Sequence, residues 1–582
     1  MSDALVTPIR QAHASHDTHL PIDSAATRHL CAGVYVDPSF RDLIIRKVHN
    51  EARKRIAPSY GFDLVPVIRN AWRSWLLDSG HLFAMLVILA AGLAIDGLLA
   101  VVIVCCAVVL CLLLRKIAQE FPEVFRRHVE EASKHWGFRV DVPRRRLSEP
   151  NLKSRKRLLK AMLACCLIAA LCPLAVSFLL QVPLASAAWQ ATVISSVLVC
   201  CAIVAGVVRQ RLLSAVAHPE TLRPVTLTRR EKIINEQQDY TCVVYHRPPH
   251  RSDDADPLDL LARSERPSPF VGSGRLVNRW LPPLTVQLLK PGDGSLAERE
   301  YTKPPFPARK LVETLRTALT ELGSDPGAEN LPGLKVRDRI YIAAADFPAN
   351  ADLLRRRWGK LEIWTIINDH RHAGHHFLEI SVPIFGGELV ATVLLRVSVK
   401  GRCLSLDVAT CALTRTPENY HVIDWSSERG TGALLHSAVR CALAVPEDLR
   451  RLWRLLEIPR VLGRAWWAQK ERTVVTGHRS IELNVAVREE IADAWDNAQL
   501  DRTTIYDHMK IVEQRILKAT KDFLTEYGVD TSVFEKQATN IINSGVLNMG
   551  GGQMTVEQMA AGMSAQIINN GIGNNGPEGA SA

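Results

Sequence analysis

Residues 161–208 contain no Asp, Glu, Lys, Arg or His, an absence that runs for 48 of the chain's 582 positions. A helix of that length would measure roughly 70 Å, at ~1.5 Å per residue, against a hydrocarbon core of ~30 Å. An ordinary soluble element is thereby excluded, and a segment that enters the membrane and doubles back is expected. Other absences narrow the function. No CxxC pair occurs among the 13 cysteines, which removes zinc-ribbon and disulfide-framework readings. Cys105, Cys106, Cys111, Cys165, Cys166, Cys172, Cys200 and Cys201 lie in apolar runs and read as small hydrophobes of a reduced, cytoplasm-facing protein. Residues 1–28 lack the apolar core of a signal peptide, so the start of the chain is expected to be retained. No catalytic signature is present, which leans away from an enzyme, and no catalytic residue or cofactor is assigned. The soluble part shows no basic face with aromatic or helix–turn–helix context, so no nucleic-acid partner is expected.

What is present begins with a polar, His-spotted start, residues 1–40, expected to be disordered. His13, His16 and His19 recur at threes without a second ligand cluster. Residues 41–80 read as amphipathic juxtamembrane helices, with Trp72 and Trp75 beside Arg69 and Arg73 as an interfacial belt. Residues 82–114 form a second apolar block whose one charge is Asp96. A single straight span would be too long, so 81–114 is expected as a hairpin turning at Ile95-Asp96-Gly97. Were it one span, Asp96 would lie in mid-membrane as an ion-handling candidate. The connector 115–160 carries 14 Lys/Arg against six Asp/Glu. Basic flanks on both sides of the first block require an even number of crossings. A second hairpin at 161–208, broken at 181–186, then gives four spans with both termini inside the cell at the plasma membrane.

From about residue 221 to 445 the composition is that of an α/β (α+β) domain. Strands are expected at 240–246, 284–289 and 339–345, and helices at 307–322 and 350–357, with a loop at 247–269. The fragment Gly272-Ser273-Gly274 resembles half of a dinucleotide loop but lacks the third glycine. Residues 376–383, 388–400 and 402–414, separated by Phe385-Gly386-Gly387 and Lys400-Gly401, predict an antiparallel meander. Cys403 and Cys411 are expected to share its core face. Just before it, His370, His372, His375 and His376 offer four imidazoles in seven residues, either a solvated loop or a zinc site.

Residues 446–500 read as helical, Pro446 opening a helix whose arginines and Trp453, Trp466 and Trp467 lie either on an anionic leaflet or against the domain. In 501–537, Ile505, Met509, Val512, Ile516, Ala519 and Phe523 repeat by fours and threes. That seam suits either self-association or docking on the chain's own domain. The tail, 538–582, holds nine Gly, seven Asn and two charges, and IINSGVLNMG at 541–550 is matched by IINNGIGNNG at 567–576 in six of ten positions. Ile541, Ile542, Val546, Ile567, Ile568 and Ile572 favour strand, and stacked Asn ladders would support β-rungs. This low-complexity tail resembles the paired amyloid-signalling motifs that end some bacterial and fungal cell-death proteins. In layout and composition the whole chain resembles uncharacterised multi-pass membrane proteins of high-GC actinobacteria. The combined expectation is a four-helix membrane unit of two hairpins, a cytoplasmic α/β domain and a low-complexity tail. Its partners would be the lipid bilayer, further copies of itself, and a protein reached through the tail. A membrane-anchored enzyme with a site in 225–445 and a small transporter are the alternatives.

Overall fold

The computed structural model describes residues 24–52, 56–95, 98–135, 152–181, 183–217, 222–223, 226–245, 268–324, 327, 330–344, 346, 358–369, 371–470 and 486–548. The histidines at 13, 16 and 19, the turn at Asp96-Gly97, most of the 247–269 loop and the 350–357 helix fall outside these residues.

The expectation of disorder over 1–40 is corrected from Ser24 onward. Ser24 caps helix α1 (Ala25–Val36) by accepting from Thr27 N at 3.1 Å. Ala26, Leu30, Cys31, Ala32 and Val34 are then fully buried. Small residues let this helix approach its neighbours closely: a Cβ at Gly33 would stand 2.6 Å from the Tyr420 ring. Helix α2 (Pro38–Leu43) and a π-helical turn, Ile44–His49, follow. Buried Arg230, from α7 (Arg229–Gln237), donates to the carbonyls of Val48 and His49 at 3.0 and 3.1 Å. A cation thus satisfies carbonyls at a helix end.

Four helices are long and apolar enough to cross a membrane, over Leu64–Ile95, Leu98–Ala118, Ala161–Leu180 and Leu184–Val216. They belong to α3 (Leu64–Ile95), α4 (Leu98–His135), α5 (Leu152–Leu180) and α6 (Leu184–Val216). The two expected hairpins are therefore present, and the chain is membrane-embedded. The separate juxtamembrane helix expected within 41–80 is not: from Leu64 onward those residues are the opening turns of α3. Pro66 does not interrupt them, because it sits in the first turn, where its missing N–H has no helical partner. Outward-facing Phe83, Leu167, Ile168, Phe178 and Trp189 are exposed, as side chains meant for lipid should be. Asp78 on α3 accepts from Arg41 and from Arg209 on α6, binding the pre-span segment to two spans.

The remaining elements build the α/β domain. Strands β1 (Cys242–Tyr245), β2 (Arg275–Arg279), β3 (Leu284–Gln287), β4 (Lys335–Ala343), β5 (Gly374–Ile384), β6 (Leu389–Lys400) and β7 (Cys403–Leu413) form one sheet. Its order is β1-β4-β5-β6-β7-β2, with β3 also on β7. The β1–β4 pair is parallel and the others antiparallel, the expected meander at the centre. Short α8 (Leu296–Arg299), α9 (Ala308–Leu322) and α10 (Lys360–Asn368) are interleaved.

Alternation along the central strands sends Leu378, Ile380, Ala391, Val393, Leu404 and Leu406 to one face. Leu311, Leu315 and Leu319 of α9 cover that face together with α13 (Gln499–Glu526). Tyr341, Phe377, Leu394, Ala409 and Cys411 line the other, under Phe270. Cys403 is exposed at the start of β7, so only Cys411 is core. The second face also receives Tyr60, whose hydroxyl donates to Glu379 at 2.6 Å, and Arg339 Nε donates to the same carboxylate oxygen at 2.8 Å.

Helix α11 (Val422–Arg450) packs along α6 at Gly206, where Ser437 Oγ donates to the glycine carbonyl at 3.0 Å. Pro446 lies inside α11 rather than opening a helix, correcting that boundary. Beyond a 3₁₀ turn, α12 (Ile458–Lys470) buries Val461, Ala465 and Ala468 and leaves Trp466 and Trp467 exposed. Helix α14 (Ser532–Asn548) ends the described chain.

Candidate functional site

The strongest convergence of titratable groups lies where the pre-span segment meets the sheet. The Phe385-Gly386-Gly387 turn has φ of 51°, 64° and 88°, a run only glycine-rich sequence tolerates well. Its carbonyl at Gly386 accepts from Ala26 N at 3.3 Å, which docks α1 on the turn. Gly387 meets the other part of the segment, since a Cβ there would stand 2.2 Å from Gly61 O. Glu388 follows the turn and is buried. Its Oε2 accepts from Thr416 N and Thr416 Oγ1 at 3.0 and 2.9 Å.

Two imidazoles complete a box around that carboxylate. His29 of α1 places Nδ1 2.6 Å from Glu388 Oε1 and Nε2 3.0 Å from Asp424 Oδ2. His421 lies against His29 with ring centroids 3.9 Å apart and the planes tilted by 35°. Its Nε2 lies 4.0 Å from Glu388 Oε2 and its Nδ1 3.8 Å from Asp424 Oδ2. Each carboxylate thus faces both rings. Burial by itself would raise the Glu388 carboxyl, but His29, the Arg488 charge and the Thr416 N–H outweigh it and hold the group at about 2. Arg488 is fully buried and donates to the carbonyls of Gly387, Glu388, Tyr60 and Thr414. Its guanidinium is pushed down to about 10 by burial, against the pull of Glu388. Donor atoms of His29, Glu388 and His421 all lie within 4.8 Å of one another, the one such metal-capable group among the described residues.

The histidines singled out from sequence do not gather. His370 lies outside the described residues. His372 Nδ1 accepts from Gly374 N at 2.9 Å, within its own turn. His376 Nε2 pairs with Asp338 at 2.8 Å, whereas His375, adjacent on β5, points to the opposite face. The assembly seam is likewise occupied: Ile505, Met509, Val512, Ile516 and Phe523 are buried in the chain's own core against the sheet and α9. Those side chains present no free surface. Ile541 packs on that core and Ile542 is exposed, both on α14. The first tail unit is therefore helical through Asn548, Val546 included, and not a β-rung; Ile567, Ile568 and Ile572 lie outside the described residues.

The glycine loop also holds an anion, but an internal one. Gly272 N and Gly274 N donate to Glu489 Oε1 at 2.8 and 2.7 Å. The chain's own carboxylate fills the place a phosphate would take. Burial pushes Glu489 up to about 7, with the two N–H groups opposing. The folded chain therefore holds this proton more tightly than the unfolded one. Stability is greatest below pH 4.5 and falls as pH rises toward 7. Glu489→Gln, which keeps an acceptor for both N–H groups, is expected to flatten that slope. The effect is at most about 3 kcal/mol between pH 5 and 8. Melting of wild type and variant at the two pH values reads it.

These features define a membrane-embedded protein whose α/β domain is clasped by the segment preceding its first span. Residues 282–556 match the family model of the AbeC-like domain. That match takes in Glu388, Thr416, His421, Asp424 and Arg488, while His29 and Tyr60 lie outside it. No curated protein and no solved structure matches the chain.

Proposed function

We propose that the chain is a membrane-tethered interaction or signalling protein of the plasma membrane, its α/β domain and both termini cytoplasmic, working as a self-associated assembly. The observation that carries this reading is the clasp. Residues before the first span contact the sheet and its turns directly, so the domain is fixed to the spans. A displacement on one side of the clasp is then felt on the other, as signalling requires. The contact supports a topology with the pre-span segment and the domain on one side of the bilayer, reached by an even number of crossings between them. The basic 115–160 connector favours the cytoplasmic side.

An enzymatic reading draws less support. Both sheet faces are filled, and a cavity of about 220 Å³ lies away from them, between Arg46, Asn50, Glu457 and Arg460. With the α13 seam buried and Ile541 of α14 packed on the core, self-association falls to the tail beyond Asn548, which would also receive a protein partner. Light scattering of the detergent-purified full chain, against a chain ending at Asn548, tests this. A mass of two or more copies that falls on truncation supports it. A monomeric full chain, or equal masses, overturns it.

A further inference from the structure

The four-group box raises a question of protons. A neutral imidazole donates from one ring nitrogen and presents a lone pair on the other. Asp424 lies beside His29 Nε2 at 3.0 Å and His421 Nδ1 at 3.8 Å. Where His29 Nε2 donates to Asp424, its Nδ1 turns a lone pair toward Glu388, itself an acceptor, whereas His421 Nε2 has the Thr416 hydroxyl at 3.2 Å as its partner. The 2.6 Å approach of His29 Nδ1 to Glu388 Oε1 then requires positive charge between them. A metal ion supplies it, taking His29 Nδ1 and Glu388 as ligands and drawing His421 Nε2, whose donor atom lies within 4.8 Å of theirs, away from Thr416 as the third.

We propose that His29 Nδ1, His421 Nε2 and the Glu388 carboxylate hold a divalent transition-metal ion, zinc being the best match to two imidazoles and one carboxylate. Zinc bonds to such donors measure ~2.0–2.2 Å, which sets tetrahedral donors about 3.3 Å apart. His29 Nδ1 stands 2.6 Å from Glu388 Oε1, roughly 0.7 Å short of that figure, and His421 Nε2 is 4.0 Å from the other oxygen, Oε2, so binding spreads the first pair and draws His421 inward. The outer shell is already in place. Asp424 lies 3.0 Å from the far nitrogen of His29, the hydrogen bond that fixes the tautomer of a metal-binding histidine, and 3.8 Å from the far nitrogen of His421. Thr416 holds the second oxygen of Glu388. His421 and Asp424 are partly exposed and give the ion a way in, leaving the fourth position for water. Such an ion would join α1, the β5–β6 turn and the start of α11, the elements of the clasp. The site stands on its own donors and goes beyond the signalling reading, whose failure would leave it untouched.

The test uses the full chain in detergent, loaded with zinc chloride, passed over chelating resin and assayed for metal by mass spectrometry. About one equivalent is expected to remain, falling below about 0.2 in His421→Ala and Glu388→Gln. His421→Cys, which keeps a ligand, should restore it. Asp424→Asn, which leaves all three ligands, should weaken zinc about 10- to 100-fold in chelator competition. His372→Ala with His375→Ala should retain the wild-type equivalent. Because His421 is partly exposed, its variants are checked for native circular dichroism; should His421→Ala lose it, the Cys and Asn variants decide. Wild type that retains no zinc, or retention unchanged in His421→Ala and Asp424→Asn, overturns the proposal.

Discussion

Arg339→Leu is expected to destabilise the α/β domain by about 3–5 kcal/mol, the usual cost of stripping one partner from a buried ion pair. Arg339 and Glu379 are each 1 % exposed and meet diagonally across β4 and β5, Glu379 being registered with Arg337 and Arg339 with Phe377. The guanidinium also donates to Tyr240 O, and the carboxylate accepts from Tyr60. Removing the cation leaves Glu379 buried with a phenol as its neighbour. A second substitution, Glu379→Leu, removes the orphaned charge and should recover most of the loss, because the surroundings (Tyr341, Phe377) are apolar. Thermal unfolding of the full chain in detergent, followed by near-ultraviolet circular dichroism, reads both variants. A single substitution that costs under about 1 kcal/mol would mean that water reaches the pair.

Gly387→Ala is the second large effect. At φ 88°, with Gly61 O 2.2 Å from a built Cβ, the methyl group meets backbone and not a yielding side chain. The left-handed conformation costs about 1–2 kcal/mol and the displaced neighbour about 1–3 more. Gly401→Ala is the control. It too has positive φ, 59°, but nothing lies within 4 Å of its Cβ, so only the backbone cost applies. The expected difference between the two is read as melting temperature and as proteolytic cleavage near residue 60, which should quicken in Gly387→Ala alone. Equal behaviour of the two variants would show that the 56–63 segment does not press on the turn.

These two glycines also show what the sequence makes legible. The meander was readable because its signals are local: β-branched runs punctuated by Gly386-Gly387 and Gly401, which take the positive φ that hairpins need. Helix α9 was readable from leucines at fours and threes, and the spans from missing charge. The box was not. Its members lie on three separate parts of the chain, and His29 and Glu388 are 359 residues apart, with no spacing rule to join them. The conspicuous cluster at 370–376 drew notice by adjacency, yet neighbours on a strand face opposite ways. Helix α1 was hidden by the polar residues around it. Ile541 and Ile542 read as strand by local preference, but a helix already running from Ser532 carries them along and seats Ile541 on the core.

That long separation sets the order of events during synthesis. At roughly 5–20 residues per second, Glu388 follows His29 out of the ribosome by about 20–70 s. Throughout that wait α1 leans on the opening turns of α3, where Tyr35 donates to Asn70 and Val34 shares an apolar cluster with Val67 and Ile68, and lacks the turn that will hold His29. Ribosomes that stop early would strand it in that condition, so the quality of the finished α/β domain is decided by residues made before any of its strands exist.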